Sequence, residues 1–525
     1  MKLVSTGGAM RVLWLLLVAA LGTQESLGSR VLMLTPIAFK SHTIFYRGLA
    51  KALVEHGHQV TQVLPYNNSA ASGVREVVLP VPNINDIMSS VFNYGMMGFM
   101  SFATKGQDIC VQALTCEDFS EIRKEDFDVV LYSEWMCPCF YEYISQLKVP
   151  FVLIQALGLD YSVAAWSIGN PFFSSFVPNL FLDHFPRQDG LPYWQRMCGV
   201  LLDTVFFTFS DHLNMKHVIP GDLKSRGICS EECSDLHAIR RNASLMIINS
   251  FKTLERVAQP YVPAVIHAGG IHLNKVKPLP QYQCGGDLWD IGGDSEGFGV
   301  ITITMILRLT RNLTGYTRLM LVKVLGSLKQ RVLWKWDKDN MEDLPSNIRI
   351  SKWLPQQDIL SHPKLQLFMT HGGLHSTQEA FYNGVPVLGF PVFADQSMNM
   401  AAIENQGWGR VINWKGLTED HLREALLDII NNPRYRVEAQ RQQRIARDQL
   451  ISPQETVNYW VDYVIRHNGA RHLDSPIKWM PWYKLYNADV WVVLISSLFL
   501  TLGFIFKLLI CSYNCCRRRL KKKND

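Results

Sequence analysis

The stretch Phe368 to Met400, FMTHGGLHSTQEAFYNGVPVLGFPVFADQSMNM, concentrates residue types able to hold a phosphorylated ligand. His371 stands directly before Gly372 and Gly373, Ser376 and Glu379 follow, and Asp395 and Gln396 lie beyond a proline-containing run. Paired glycines let a phosphate approach the backbone. A helix starting just after them offers unpaired N–H groups and the positive end of its dipole. His371 adds an imidazole donor beside the same phosphates, and Ser376 a hydroxyl. Glu379 has two readings. Ser376-Thr377-Gln378-Glu379 fits the S-x-x-E capping box, while the carboxylate also suits a ligand's hydroxyls.

Such residues need a strand before them and a helix after them. LQLFMTH (Leu365 to His371) reads as the strand and STQEAFYNG (Ser376 to Gly384) as the helix. The same alternation runs through the chain. RVLMLTP (Arg30 to Pro36) is a strand, and SHTIFYRGLAKALVEHGHQVT follows it as a helix. Ile44, Leu49, Leu53 and Val54 suit one face of that helix, and Gly57 its C-cap. QVTQVLP is the next strand, and this opening implies a parallel sheet covered by helices. DVVLYS, PFVLIQ and SLMIINS continue the first α/β domain; VITITMIL, QRVLWKW, LQLFMTH and VPVLGFPVF form a second. The Gly-rich run Pro278 to Gly299 is a linker, so the domains are expected at 29–275 and 276–470. Asn170 to Pro220, aromatic-rich and broken by prolines, reads as a ligand-binding insert or as irregular packing. A chain of 525 residues exceeds one hydrophobic core. Two facing doubly wound domains leave a cleft at the carboxyl ends of both sheets, where such folds bind ligands.

The ends of the chain speak of membranes. Lys2 and Arg11 precede the apolar run Val12 to Leu21, with small and polar residues through Gly28, the pattern of a secretory signal over 1–28. After a connecting segment, 471–489, Val490 to Ile510 is long and apolar enough to cross a bilayer, with only Lys507 charged. The tail 511–525 carries Arg517, Arg518, Arg519, Lys521, Lys522 and Lys523, which the positive-inside rule places in the cytosol. Nearly the whole chain is then lumenal, a type I single-pass arrangement. Most of the net charge of +6 belongs to that tail, and the remainder is near neutral. A nucleic-acid-binding function has no basic footprint to rest on. Cys511, Cys515 and Cys516 flank the span as palmitoylation candidates. Cys229 and Cys233 suit a local disulfide, with buried free thiols the alternative. Asn67, Asn242 and Asn312 begin N-x-S/T triplets.

Trp353 to Gln396, WLPQQDILSHPKLQLFMTHGGLHSTQEAFYNGVPVLGFPVFADQ, closely resembles the signature of the UDP-glycosyltransferase family. QRVLWKW, the Ser41-His42 opening, the signal and the basic tail share the resemblance, which covers almost the full lumenal chain. It implies the GT-B architecture, two facing Rossmann-like α/β domains with a cleft between them, here with a C-terminal transmembrane helix. It implies transfer of glucose or glucuronic acid from a UDP-sugar to a hydroxyl of a small lipophilic acceptor. The anomeric carbon is inverted, no metal or cofactor takes part, and the UDP-sugar is a co-substrate. By position, Trp353 would stack on uracil with Gln356 beside it, and His371 would contact the diphosphate. Glu379 would hold the ribose, and Asp395 and Gln396 the sugar. Without the resemblance, Trp353 reads equally as a core residue and Asp395-Gln396 as a solvated loop. His42 matches the general base. It sits where a helix begins, and a helix N-terminus disfavours the imidazolium.

Three departures from the family pattern stand out. The acid that orients the base would fall at Ser133, leaving Glu134, one residue on, as the carboxylate to reach His42. Ile306 and Leu307 stand where a Gly-Ser pair is expected to approach the diphosphate. His375 varies the phosphate turn. These departures keep a second expectation open: a non-catalytic relative that binds lipophiles or pairs with active glycosyltransferases as a homo- or hetero-oligomer. The terminal KKND resembles a dilysine retrieval signal, which points to the endoplasmic reticulum membrane, with a stop-transfer charge cluster as the alternative; the family resemblance implies a role in detoxification.

Overall fold

The structure is a computed structural model. It describes residues 28–66, 72–82, 104–158, 161–173, 175–177, 191–202, 210–229, 232–254, 259–274, 300–304, 315–336, 338, 340–392 and 395–524. The signal segment, the Gly-rich linker, Asn67, Asn312, Ile306 and Leu307 lie outside these residues, as does part of Asn170 to Pro220.

The chain forms two parallel sheets. The first contains β1 (Arg30–Leu34), β2 (Gln59–Leu64), β3 (Val74–Val78), β4 (Val129–Tyr132), β5 (Phe151–Gln155), β6 (Leu245–Ile248) and β7 (Val265–His267). Its order is β3-β2-β1-β4-β5-β6-β7. The second contains β8 (Val300–Thr304), β9 (Arg331–Lys335), β10 (Ile348–Ser351), β11 (Leu365–Thr370), β12 (Val387–Gly389) and β13 (Gly409–Val411), ordered β10-β9-β8-β11-β12-β13. Interior strands such as β4 are buried along their whole length, because helices cover both faces of a parallel sheet. Every interior strand is one that hydrophobic runs predict. The four unpredicted strands, β3, β7, β10 and β13, are the four sheet edges.

Eight helices position the site and the anchor: α1 (Lys40–Glu55), α2 (Tyr141–Leu147), α3 (Leu236–Arg240), α4 (Gln356–Leu360), α5 (Leu374–Asn383), α6 (Gln396–Asn405), α7 (Pro453–Arg466) and α8 (Ala488–Asn524). The buried side of α1 runs through Phe45, Leu49 and Leu53. Ile44, expected on that side, is 44% exposed, because one residue of helical rotation carries it outward. Gly57 follows the helix with φ +107°, a conformation suited to glycine.

The expected end of the second domain at 470 is corrected. Helix α7 leaves the second sheet and returns to the first, burying Val457, Val461 and Val464 in the first domain's core. Its start is set by a capping box between Ser452 and Glu455. The segment expected to be a mere connector also docks there. The Lys478 ammonium is buried against Asp474 (2.5 Å) and the Ala243 carbonyl (3.4 Å). Helix α8 then runs on into the basic tail, with an apolar span over Ala488–Asn514 long enough to cross a membrane. Disulfides join Cys110 to Cys139 and Cys229 to Cys233, while Cys137 is a buried free thiol.

Candidate active site

Both sheets reverse strand order beside their first strand, β1 lying between β2 and β4, and β8 between β9 and β11. Connections leaving on either side of such a point diverge and open a crevice at the carboxyl ends of the strands. The chain leaving β1 carries His42, that leaving β4 carries Glu134, and that leaving β11 carries His371.

The turn after β11 tolerates little but glycine. Gly372 has φ +84°, and a Cβ there would lie 2.5 Å from Met400 Cγ. A Cβ on Gly373 would lie 2.6 Å from His371 Nε2. Helix α5 starts at Leu374 with Gly373 as N-cap, and no side chain caps it. Its first N–H groups therefore suit an anion. The helix begins two residues earlier than the sequence pattern suggests, so Ser376 lies inside the first turn. There it accepts from Gln356 Nε2 at 3.2 Å, and the capping box is not formed.

Glu379 is instead a buried carboxylate held by amides. Its Oε2 accepts from Gln356 Nε2 at 2.5 Å and its Oε1 from Gln357 Nε2 at 3.0 Å. His272 Nε2 stands 3.7 Å from Oε1. Burial pushes the carboxyl up to about 7, against the hydrogen bonds from Gln356 and Gln357, which pull it down. Trp353 is 61% exposed, which sets aside a core role for it. Asp395 Oδ2 accepts from Asn399 Nδ2 at 2.7 Å, and the same amide donates to the Gly372 carbonyl at 2.9 Å. Gln396 Oε1 accepts from the Val392 amide at 2.9 Å. The glycine turn and Asp395, the neighbour of Gln396, are thus stitched together through Asn399.

The first domain closes on this site. Asn249, just after β6, donates from Nδ2 to the Ala156 carbonyl at 3.0 Å and meets His375 Nε2 at 3.2 Å. Gln378 Nε2 donates to the Asn249 carbonyl at 3.0 Å. The rings of His272 and His375 are 4.9 Å apart. Sequence reasoning missed Asn249, His272, Gln357 and Asn399. The doubled glutamine of WLPQQ was the one local signal. The others are ordinary residues whose value comes from the docking of the two domains.

His42 occupies the first turn of α1 and is 4% exposed. Phe39 and Trp135 flank it, each ring 5.1 Å away and nearly perpendicular, and they touch each other at 4.9 Å. Burial first, and the nearby His375 second, lower the imidazole to about 3, so it is neutral at physiological pH. Its Nδ1 is buried with no hydrogen-bond partner among the described residues.

Glu134 does not serve it. The Tyr141 hydroxyl donates to Glu134 Oε2 at 2.6 Å, and the Arg240 guanidinium binds Oε1. Arg240 also grips Asp211, with contacts of 2.6 and 3.0 Å. The step from Ser133 to Glu134 aims the carboxylate at α2 and α3, and the expected His42–Glu134 contact is corrected accordingly. Ser133 itself bonds the Tyr46 hydroxyl at 2.7 Å.

Among the described residues, two clusters have metal-ligand geometry. One is Cys110, Cys137 and Cys139, two of which form a disulfide. The other is His56, His58 and Asp462, beside the amino-terminal end of β2 and so at the end of the sheet opposite the cleft.

The family described as UDP-glucoronosyl and UDP-glucosyl transferase matches residues 30–524. A protein of Dactylopius coccus, UDP-glycosyltransferase UGT5, is 31% identical over 493 residues, covering 89% of each chain. UDP-glucuronosyltransferase 2B15 of Rattus norvegicus is 28% identical, over 92% of this chain and 94% of its own. Among solved structures, the glycosyltransferase VinC in complex with dTDP superposes with a TM-score of 0.57 at 19% identity. It covers 83% of this chain and 100% of its own. That likeness carries the two-domain fold of glycosyltransferases.

Proposed function

The chain belongs to the UDP-glucoronosyl and UDP-glucosyl transferase family and is a glycosyltransferase, and we propose that it transfers glucose or glucuronic acid from a UDP-sugar to a hydroxyl of a small lipophilic acceptor, with inversion and without a metal. The observation that carries the reading is the donor half of the cleft. A glycine turn, an uncapped helix start, a buried carboxylate and a carboxylate–amide pair stand together there. Trp353 offers a flat exposed face for uracil, and Glu379 a carboxylate for the ribose diol. His371 and the first amides of α5 neutralise charge on the departing diphosphate. Asp395 and Gln396 hold the sugar hydroxyls. Across the cleft, neutral His42 takes the acceptor's proton as its oxygen attacks the anomeric carbon.

With α8 in the endoplasmic reticulum membrane and the basic tail in the cytosol, both domains face the lumen. Detergent-solubilised protein incubated with UDP-sugars and phenolic or steroid acceptors tests the assignment. His42→Ala should lower kcat by about 10²- to 10⁴-fold while donor binding persists. Equal turnover by that variant would remove His42 from the mechanism. The diversion of Glu134 favours a second reading, a relative that binds UDP-sugars and lipophiles without turnover. Its mark would be donor binding with no product from any acceptor.

A further inference from the structure

At the end of the first sheet away from the cleft, two histidines meet an aspartate that lies 406 residues further along the chain than the first of them. His56 closes α1 as its C-cap, Gly57 turns the chain with φ +107°, and His58 leads into β2. The turn brings both rings to one side, with centroids 5.5 Å apart. Asp462 faces them from α7, whose valines are buried in the same core. Its Oδ2 lies 2.9 Å from His56 Nε2 and its Oδ1 3.3 Å from His58 Nε2. Hydrogen bonding explains only half of this arrangement. His56 Nε2 bonds the carboxylate. His58 does not: neither of its ring nitrogens has a hydrogen-bond partner among the described residues, although its side chain is only 6% exposed. A buried polar ring left unpaired costs stability, and here its Nε2 is aimed at a carboxylate.

Metal coordination accounts for what hydrogen bonding leaves over. Tetrahedral bonds of about 2.0–2.1 Å from Zn²⁺ to imidazole nitrogen and carboxylate oxygen set the ligand atoms about 3.3 Å apart. The three candidate ligand atoms all lie within 4.8 Å of one another, so small side-chain rotations close the set on an ion. Two imidazoles and one carboxylate, with a fourth position open to water, suit zinc better than the oxygen-seeking magnesium or calcium. The partly exposed His56 and Asp462 give the ion a way in, while buried His58 and the packed helix hold the geometry. Two further charges bear on the site. Arg466, 3.8 Å from Asp462, opposes a cation, but at 53% exposure it can swing into water. Asp128, near enough to act on the charge of His58, favours one.

We propose that His56, His58 and Asp462 form a zinc site that staples the turn between α1 and β2 to α7. The ion takes a lone pair from each Nε2, so each neutral ring carries its proton on Nδ1, and a water completes the tetrahedron. The staple fixes to the first domain the helix that precedes the connecting segment and α8. It is a structural site, and it does not depend on the reading of the cleft.

The test uses the full-length protein in detergent, without a histidine tag and stripped with EDTA. Zn²⁺ is titrated in against a chromophoric chelator, alongside His56→Ala and Asp462→Asn, two partly exposed positions whose variants should fold. The expected result is one zinc per chain with a Kd below about 10 μM, weakened at least about 10-fold in each variant. Co²⁺ in its place should give the intense visible absorption of a tetrahedral site, and the variants should not. Zinc at about 100-fold above Kd should raise the melting temperature of the unmodified protein by about 3–6 °C and leave the variants unmoved. With zinc chelated away, the variants should melt within about 3 °C of the unmodified protein. A Kd above about 10 μM, an adventitious ion only, overturns the site. So does a loss of affinity under about 10-fold in either variant, which places the ion on other histidines. Either failure leaves the glycosyltransferase reading intact.

Discussion

Two buried glutamates, one in each domain, sit beside the same cleft and have opposite fates. Glu134 is 7% exposed and Glu379 is 5% exposed. Glu134 meets a full positive charge, Arg240, and a phenol, Tyr141, and is consumed as a structural ion. Among the described residues, Glu379 accepts hydrogen bonds from the neutral amides of Gln356 and Gln357, with His272 and the weaker pull of the Lys335 charge further off, and burial leaves it with a proton affinity near pH 7. Burial alone therefore does not make a carboxylate a working group. What decides is whether its partners supply charge or only hydrogen bonds. The Glu134 pair ties the chain after β4 to α3, and so holds Trp135, the next residue, against His42. The Glu379 set leaves a carboxylate whose bonds a diol can replace.

The comparison breaks most visibly through Glu134→Ala or Arg240→Ala. Arg240→Ala leaves Glu134 an uncompensated buried charge, and a loss of about 3–5 kcal/mol is expected, read as a large fall in melting temperature; Glu134→Ala leaves Arg240 with Asp211 and should cost less. A Glu134→Ala protein that melts normally but loses turnover would return Glu134 to the role of catalytic acid.

Glu379→Gln is expected to have a smaller effect of the opposite sign on stability. A carboxyl raised on folding binds its proton more tightly in the folded state. Its stabilisation is then complete below about 4.5 and is lost as pH rises through about 7. At about 1.4 kcal/mol per pH unit that loss reaches about 3 kcal/mol, and the glutamine variant should escape it at pH 8. The same variant should raise the KM for UDP-sugar about 10- to 100-fold, as hydrogen bonds to a charged group are lost. In the unmodified protein that KM should climb as pH falls below about 7, and in Glu379→Gln it should stay level. A pH-independent KM in both would remove the ribose-binding role from Glu379.

The smallest effect belongs to the exposed counterpart of these buried pairs. Asp462 on α7 lies 2.9 Å from His56 Nε2 and 3.3 Å from His58 Nε2, at the edge of the first domain. Asp462→Asn should cost no more than about 1 kcal/mol in a thermal melt, because water reaches Asp462 and His56 and screens their contact, although His58 is buried. A loss as large as that of Arg240→Ala would mean that α7 is held by this contact and not by Val457, Val461 and Val464.

Which parts of this design were legible follows from where the information is stored. Interior strands write themselves as apolar runs. The edge strands β3, β7, β10 and β13 are short or partly polar, and pair on one side only, so no run marks them. The proposed donor site could be assembled from sequence because His371, Gly372, Gly373, Ser376 and Glu379 fall within one strand–turn–helix unit. Glu134 misled for the opposite reason. Its proximity to His42 was inferred from spacing, while its actual partners, Arg240 and Asp211, lie far along the chain, where no local pattern points to them. Asn249 and His272 were silent because their meaning arises only when the first domain meets α4 and α5 of the second.

The return of α7 and the burial of Lys478 settle which half of the molecule is moored. With α8 in a bilayer, the tether fastens to the acceptor-side domain, through a salt link and a packed helix, before it reaches the lipid. Among the described residues, the second domain joins the rest through the chain entering α7 and the cleft contacts. Any hinging that admits a nucleotide sugar or lets UDP depart is then the swing of a free arm against a fixed bench. If the first domain binds a lipophilic acceptor, as proposed, its surface keeps one attitude toward the membrane throughout the cycle, and a lipophile leaving the bilayer meets the same doorway at every turnover.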